Sequence, residues 1–139
     1  MSGRLDSARL LPPRTPMETR ILVVDDNARV REMLADLLEL EGHVVYQAET
    51  GQVALQLLQG GLQPRLIVCD LMMPDVDGWQ VLAAVEQMPE RPDVIVFSSL
   101  GDLASVERLT ERYGCTVLKK PEQLREVVGA ARAHIERPH

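Results

Sequence analysis

Three aspartates stand at the ends of two short apolar runs in this chain: Asp25 and Asp26 close Ile21–Val24, and Asp70 closes Leu66–Cys69. A third run, Val94–Phe97, leads into Ser98 and Ser99, and a fourth, Thr116–Leu118, into Lys119 and Lys120 before Pro121. If these runs lie side by side with their ends aligned, three carboxylates converge at one edge, where each like pair at about 4 Å repels by some 4 kcal/mol at an effective dielectric near 20. Such a cluster calls for a cation. A set of carboxylate oxygen ligands suits Mg²⁺, which takes one or two carboxylates, keeps several waters and leaves room for a phosphoryl oxygen. The lysines add weight, because thirteen of the 15 basic residues are arginine and the only two lysines are adjacent at this point. A compact point charge has been placed where the rest of the chain uses a planar fork.

Each motif taken singly has an ordinary structural explanation. Acidic residues before an amphipathic helix satisfy its orphan N–H groups and suit its dipole, which accounts for Asp25-Asp26. Asp70 serves as a strand-ending residue before the Pro74, Asp77-Gly78 loop, the serines as turn formers and the lysines as a solvated pair. Their joint occurrence at the ends of four separate runs is what reads as one site.

The elements that must position them follow from periodicity. Ile21–Val24, Val44–Tyr46, Leu66–Cys69, Val94–Phe97 and Thr116–Leu118 are too short for helices and rich in Val and Ile, so they read as five strands, apolar on both faces as in a parallel sheet covered by helices. Helical spacing links Val30, Met33, Leu34, Leu37 and Leu38, with Gly42 placed to end that helix in a left-handed conformation. It recurs in Val53, Ala54, Leu57 and Leu58, in Trp79, Leu82, Ala83 and Val85, in Leu103, Val106, Leu109 and Tyr113, and in Leu124, Val127, Val128, Ala131 and Ile135. Five strands alternating with five helices predict an α/β doubly wound parallel sheet. Ligands of such sheets bind beyond the carboxyl ends of the strands, where strand order reverses, which is where the acidic, serine and lysine residues fall.

Length and composition bound the rest. With 139 residues the chain is one ordinary domain, and 45% hydrophobic with 26% charged residues excludes wholesale disorder and collagen-like repeats. Residues 1–19 carry three prolines and no apolar stretch long enough for a signal peptide, so they read as a disordered N-terminal tail before a domain over residues 20–137. Met17-Glu18-Thr19-Arg20 resembles a natural domain start, which makes residues 1–16 a leader or an upstream extension. No window approaches the roughly 18 apolar residues that cross a bilayer, so no membrane insertion is expected and the location reads as cytoplasmic. Cys69 and Cys115 sit in apolar surroundings without metal-ligand spacing and read as reduced core residues. A formal charge of −6 disfavours direct nucleic-acid binding.

ILVVDDN, LIVCDLMMPDVDG, VIVFSS and KKP, each at the end of the appropriate strand and in this order, resemble the receiver domain of bacterial two-component response regulators over roughly Arg20 to Ile135. That resemblance implies the flavodoxin-like strand order 2-1-3-4-5, with Asp70 as phosphoacceptor. It implies Mg²⁺ held by Asp26 and Asp70, helped by Asp25 and by the backbone carbonyl of Met72. Ser98 would donate its hydroxyl to the phosphoryl group, the Ser99 N–H would assist, and Lys120 would pair with a phosphoryl oxygen while Lys119 faces away. Ser98, drawn toward phosphate, and the position of Val117 would form the switch. The donor would be a sensor histidine kinase or a histidine phosphotransfer protein, and the output a change of surface toward a downstream protein. The chain would promote its own phosphorylation and dephosphorylation, and is not expected to be an enzyme with an outside substrate.

Two departures from the family pattern are visible. Family members usually carry Tyr or Phe three residues before the strand-five lysine, where this chain has Val117, and the connection after Pro121 reaches Leu124 about three residues early. These motivate an alternative reading, a pseudo-receiver that binds partners independently of phosphorylation. An aspartyl-phosphate phosphatase would need a second acid two residues after the nucleophile, which Asp70-Leu71-Met72 lacks. A flavin protein of the same topology would meet repulsion between its cofactor phosphate and Asp25-Asp26. No effector domain follows residue 139 in the sequence, so output by binding, or membership of a larger protein, is expected.

Overall fold

The computed structural model describes residues 19–71, 78–99, 103–120 and 122–136. Along them run β1 (Arg20–Val24), α1 (Ala28–Leu40), β2 (Val44–Ala48), α2 (Gly51–Gln59), β3 (Leu66–Cys69), α3 (Gly78–Glu86), β4 (Asp93–Ser98), α4 (Leu103–Tyr113), β5 (Thr116–Lys119) and α5 (Leu124–Glu136). The strands are parallel in the order β2-β1-β3-β4-β5, the expected doubly wound sheet. The order reverses between β1 and β3, which places the ends of those two strands, and so Asp25 and Asp70, at the switch point.

Side chains alternate across the sheet with a period of two and divide the core into two layers. Leu22, Val24, Ile67, Cys69, Val94 and Val96 pack with Ala54 of α2 and with Val81, Leu82 and Val85 of α3. Ile21, Val23, Leu66, Val68, Ile95 and Phe97 pack on the other face with Leu34 and Leu38 of α1 and Val127 and Ala131 of α5. Phe97 is 1% exposed, a site where truncation to Ala costs about 3–5 kcal/mol. The inner strands β1, β3 and β4 are buried on both faces, but β2 and β5 are only half-buried. The expectation of five strands apolar on both faces fails for these two because each lies at a sheet edge, where helices cover less of it.

The helix faces follow the sequence pattern with local rotations. In α1 Leu34 and Leu38 are buried, whereas Met33 is 45% exposed. In α3 Val81 is buried in place of the expected Ala83, which is exposed. Tyr113 of α4 packs on the first layer; the side chains of Leu103, Val106 and Leu109 lie outside the described residues. Gly42 does end α1 with φ +95, a conformation that strains other residues. The expected tail lies outside the described residues except for Thr19, whose carbonyl accepts the Val44 N–H at 2.8 Å. Among the described residues, no helix is long and apolar enough to cross a membrane.

Candidate functional site

The sheet's backbone ladder continues one step past its strands and aligns the functional residues. Asp25 N–H donates to the Ala48 carbonyl at 3.1 Å, Asp70 N–H to the Val24 carbonyl at 3.0 Å, and Lys120 N–H to the Ser98 carbonyl at 3.0 Å. Asp25, Asp70, Ser98 and Lys120 thereby come to one rim from four strands.

Local structure keeps the aspartates available. Asn27, rather than Asp25 or Asp26, caps α1: its backbone is extended and its Oδ1 accepts the Val30 N–H at 3.1 Å. The capping explanation for the acidic pair therefore does not hold. Asp25 is 1% exposed and Asp70 5%, while Asp26 is exposed. One oxygen from each of the three carboxylates lies within 4.8 Å of the other two, a spacing and an all-oxygen donor set that fit a hard divalent cation.

Lys120 stands between the two buried acids. Its Nζ lies 2.8 Å from Asp25 Oδ2 and 2.9 Å from Asp70 Oδ2. Ser98, 2% exposed, donates its hydroxyl to Asp70 Oδ1 at 2.8 Å. Burial raises the Asp25 pKa above the usual carboxylate range against the opposing hydrogen bonds from Lys120 and Asn27. Burial works against charge on Lys120 as well, but its hydrogen bonds to Asp25 and Asp70 prevail and hold its pKa above the ordinary lysine value. The rim thus combines a buried carboxylate, a fixed ammonium, a hydroxyl donor and excess negative charge open to solvent at Asp26.

Gly78 closes the site from below. A Cβ on this first residue of α3 would clash with the Asp70 carbonyl oxygen and come within 2.6 Å of Leu71 Cα. The sequence suggested a turn glycine here; the structure requires it for close approach of α3 to the phosphoacceptor candidate's backbone. Lys119 is exposed and faces away, with its N–H donating to Gln123 Oε1 at 2.7 Å. Ser99 is exposed at the rim, and Val117 is half-buried against the α2/α3 layer. Met72, Pro74, Asp77 and Pro121 lie outside the described residues.

Two contributors escaped the sequence reading. Arg31 Nη1 donates to the Asp25 carbonyl at 2.9 Å, and Gln47 Oε1 accepts from Arg31 Nε at 3.1 Å. An arginine four residues past an N-cap looks like any solvated helix residue, and nothing in its spacing signals these partners.

A parallel, flavodoxin-like sheet with an acidic cluster at its switch point and a half-buried lysine reaching it from the end of β5 defines a class of α/β proteins that act at the carboxyl ends of their strands. Within it, the chain belongs to the response regulator receiver domain family of two-component systems, whose family model matches residues 21–132. It is 38% identical over 117 residues to Response regulator RR06 of Streptococcus pneumoniae, covering 84% of this chain and 53% of that protein. It is 28% identical over 119 residues to Sporulation initiation phosphotransferase F of Bacillus subtilis, covering 86% of this chain and 95% of that one. The chain spans about half the length of several other curated relatives, such as Transcriptional regulatory protein ResD of Bacillus subtilis, of which it covers 49%. Among solved structures, the receiver domain of Francisella response regulator 1452 superposes with a TM-score of 0.76 at 26% identity, covering 86% of this chain and 98% of that one.

Proposed function

We propose that this receiver domain takes a phosphoryl group onto Asp70 from a histidine kinase or a histidine phosphotransfer protein, and that the resulting charge changes its surface toward a downstream protein. The observation that carries this reading is Asp70 held between the Lys120 ammonium at 2.9 Å and the Ser98 hydroxyl at 2.8 Å, with two more carboxylates beside it.

Asp26 and Asp70 would hold Mg²⁺, with Asp25 completing the acidic pocket and the Met72 carbonyl as a further ligand. When bound, the ion screens the repulsion between a carboxylate and an anionic phosphoryl donor. An Asp70 oxygen attacks phosphorus, and the bond from phosphorus to the donor's leaving atom breaks with its electron pair staying on that atom. Lys120 neutralises charge on the transferring group from a fixed position, a contribution typically worth several kcal/mol. Ser98, whose hydroxyl already donates to Asp70, would donate to the new phosphoryl oxygens, with the Ser99 N–H assisting. The acyl phosphate then adds about −1.5 to −2 charge at one spot, which shifts the population between two arrangements of the surrounding surface. Val117 cannot supply an aromatic swing, so Ser98 and Lys120 carry the signal. The chain acts on itself in the cytoplasm, with no outside substrate and no direct contact to nucleic acid.

Incubation of the protein with a small acyl-phosphate donor, followed by intact-mass measurement with Mg²⁺ and with excess chelator, tests the reading. Labelling that requires Mg²⁺ is expected. Absence of labelling in both conditions would leave a phosphorylation-independent binding module instead.

A further inference from the structure

Asp25 has a partner for every one of its polar atoms. Its N–H donates to Ala48 at 3.1 Å, Oδ1 accepts the Asn27 N–H at 2.9 Å, Oδ2 accepts Lys120 at 2.8 Å, and its carbonyl accepts Arg31 Nη1 at 2.9 Å. The same guanidinium donates through Nε to Gln47, an exposed residue of β2, at 3.1 Å. One side chain of α1 therefore ties the end of β1 to the neighbouring strand.

The carbonyl that Arg31 holds belongs to the peptide joining Asp25 to Asp26. A peptide unit is planar, so fixing its oxygen fixes the plane and with it the direction in which the chain leaves toward the Asp26 Cα. Asp26 is exposed and no packing immobilises its side chain, so the orientation of that plane governs where its carboxylate falls relative to Asp70. We propose that Arg31, braced by Gln47, is a positioning residue that sets the geometry of the acidic cluster for a divalent cation. The inference rests on the phosphoryl-acceptor reading of the same site. Arg31 touches neither the cation nor the phosphoryl group; it acts through the Asp25–Asp26 peptide.

Charge and positioning predict opposite signs. Arg31 brings a cation toward three carboxylates, so if charge were its only effect, neutralising it would tighten Mg²⁺ binding. If it positions the ligands, neutralising it loosens binding, and residues that orient ligands are typically worth roughly 10- to 100-fold in metal affinity. Lysine keeps the charge but cannot reach both partners with a rigid fork, so Arg31→Lys should restore little.

Calorimetric titration of the full chain with Mg²⁺ alone, for wild type, Arg31→Met, Arg31→Lys and Gln47→Ala, decides the matter, with melting temperatures recorded alongside. Expected is an Mg²⁺ affinity lower by roughly tenfold in Arg31→Met, nearly as low in Arg31→Lys and a few-fold lower in Gln47→Ala, at near-wild-type melting temperatures. The exposed Gln47→Ala change keeps the test intact should either Arg31 variant fold poorly. Unchanged or tighter binding in Arg31→Met, or unchanged binding in Gln47→Ala where the Arg31 variants do not fold, overturns the role of Arg31 while leaving the phosphoryl-acceptor reading in place. Failure of the wild type to bind Mg²⁺ overturns both.

Discussion

The two poles of the sheet each carry a network of charged and polar side chains, and the two differ in charge balance and exposure. At the carboxyl pole, Asp25 and Asp70 share the Lys120 ammonium, and Asp26 beside them opens to solvent. At the amino pole, His134 of α5 is clasped on both ring nitrogens, Nδ1 by Asp93 Oδ2 at 2.9 Å and Nε2 by Thr116 Oγ1 at 2.8 Å. Arg65 donates to the carbonyls of His134 and Ile135 at 3.0 and 3.2 Å, closing the end of α5, and lies 3.7 Å from Asp93. Arg65 and Asp93 offset one another and two of the terminal carbonyls of α5 are satisfied, so this pole fastens α5 to the starts of β4 and β5. Burial and hydrogen bonding are common to both poles. Unbalanced charge at a solvent opening distinguishes the site from the fastening.

The largest effect that should separate the poles lies in the lysine pair. Lys120→Ala is expected to slow phosphoryl transfer by orders of magnitude, since it removes a fixed electrostatic partner worth several kcal/mol. Lys119→Ala, on the exposed face of the same strand end, should stay within about half a kcal/mol in stability and leave the rate unchanged. Labelling rates of the two variants check this, and a damaging Lys119→Ala with a silent Lys120→Ala would reverse the assignment.

Next in size, His134→Ala should cost about 2–3 kcal/mol, by removing a hydrogen bond from the Thr116 hydroxyl and one from Asp93 and leaving a cavity beneath α5. Urea unfolding measures that loss. Labelling of the folded variant should match wild type, and a selective loss of labelling would show that the amino pole belongs to the site.

A smaller effect concerns alkaline pH. Burial pushes the Cys115 thiol from 9.0 up to about 12, so the folded chain keeps a proton that the unfolded chain releases. Its stabilisation is complete below pH 9.0 and declines as pH rises toward 12. Lys120, raised above 10.5, acts in the same direction, its share being lost as pH climbs through the folded value. Urea midpoints should therefore fall between pH 9.0 and 10.5 in the wild type and fall less in Cys115→Ala; parallel curves for the two proteins would contradict the assignment.

The carboxyl pole was largely legible in the sequence and the amino pole was not, for physical reasons. Asp25, Asp26, Asp70, Ser98 and Lys120 each follow a Val/Ile-rich run, and parallel strands of similar length necessarily bring such ends together. Arg65, Asp93, Thr116 and His134 are single polar residues at strand starts and on a helix, where each passes for a turn or surface residue until the fold joins His134 to Asp93 across 41 positions. At finer scale, the acidic pair Asp25-Asp26 read as the cap of α1, but Asn27 caps it, because Asp and Asn both cap well and backbone geometry selects the residue. The half-buried state of β2 and β5 depends on strand order, which run composition does not encode.

The central claim is that Asp70 receives the phosphoryl group. Asp70→Asn is nearly isosteric and keeps an acceptor oxygen for Lys120, while the Ser98 hydroxyl can turn to accept from the new amide N–H, so the fold should survive, as a wild-type-like circular dichroism spectrum would establish. With Mg²⁺ and a small acyl-phosphate donor, intact-mass spectrometry should show an added phosphoryl group on the wild type and none on Asp70→Asn. Labelling of the folded variant at the wild-type level would place the phosphoryl group on another residue and contradict the account.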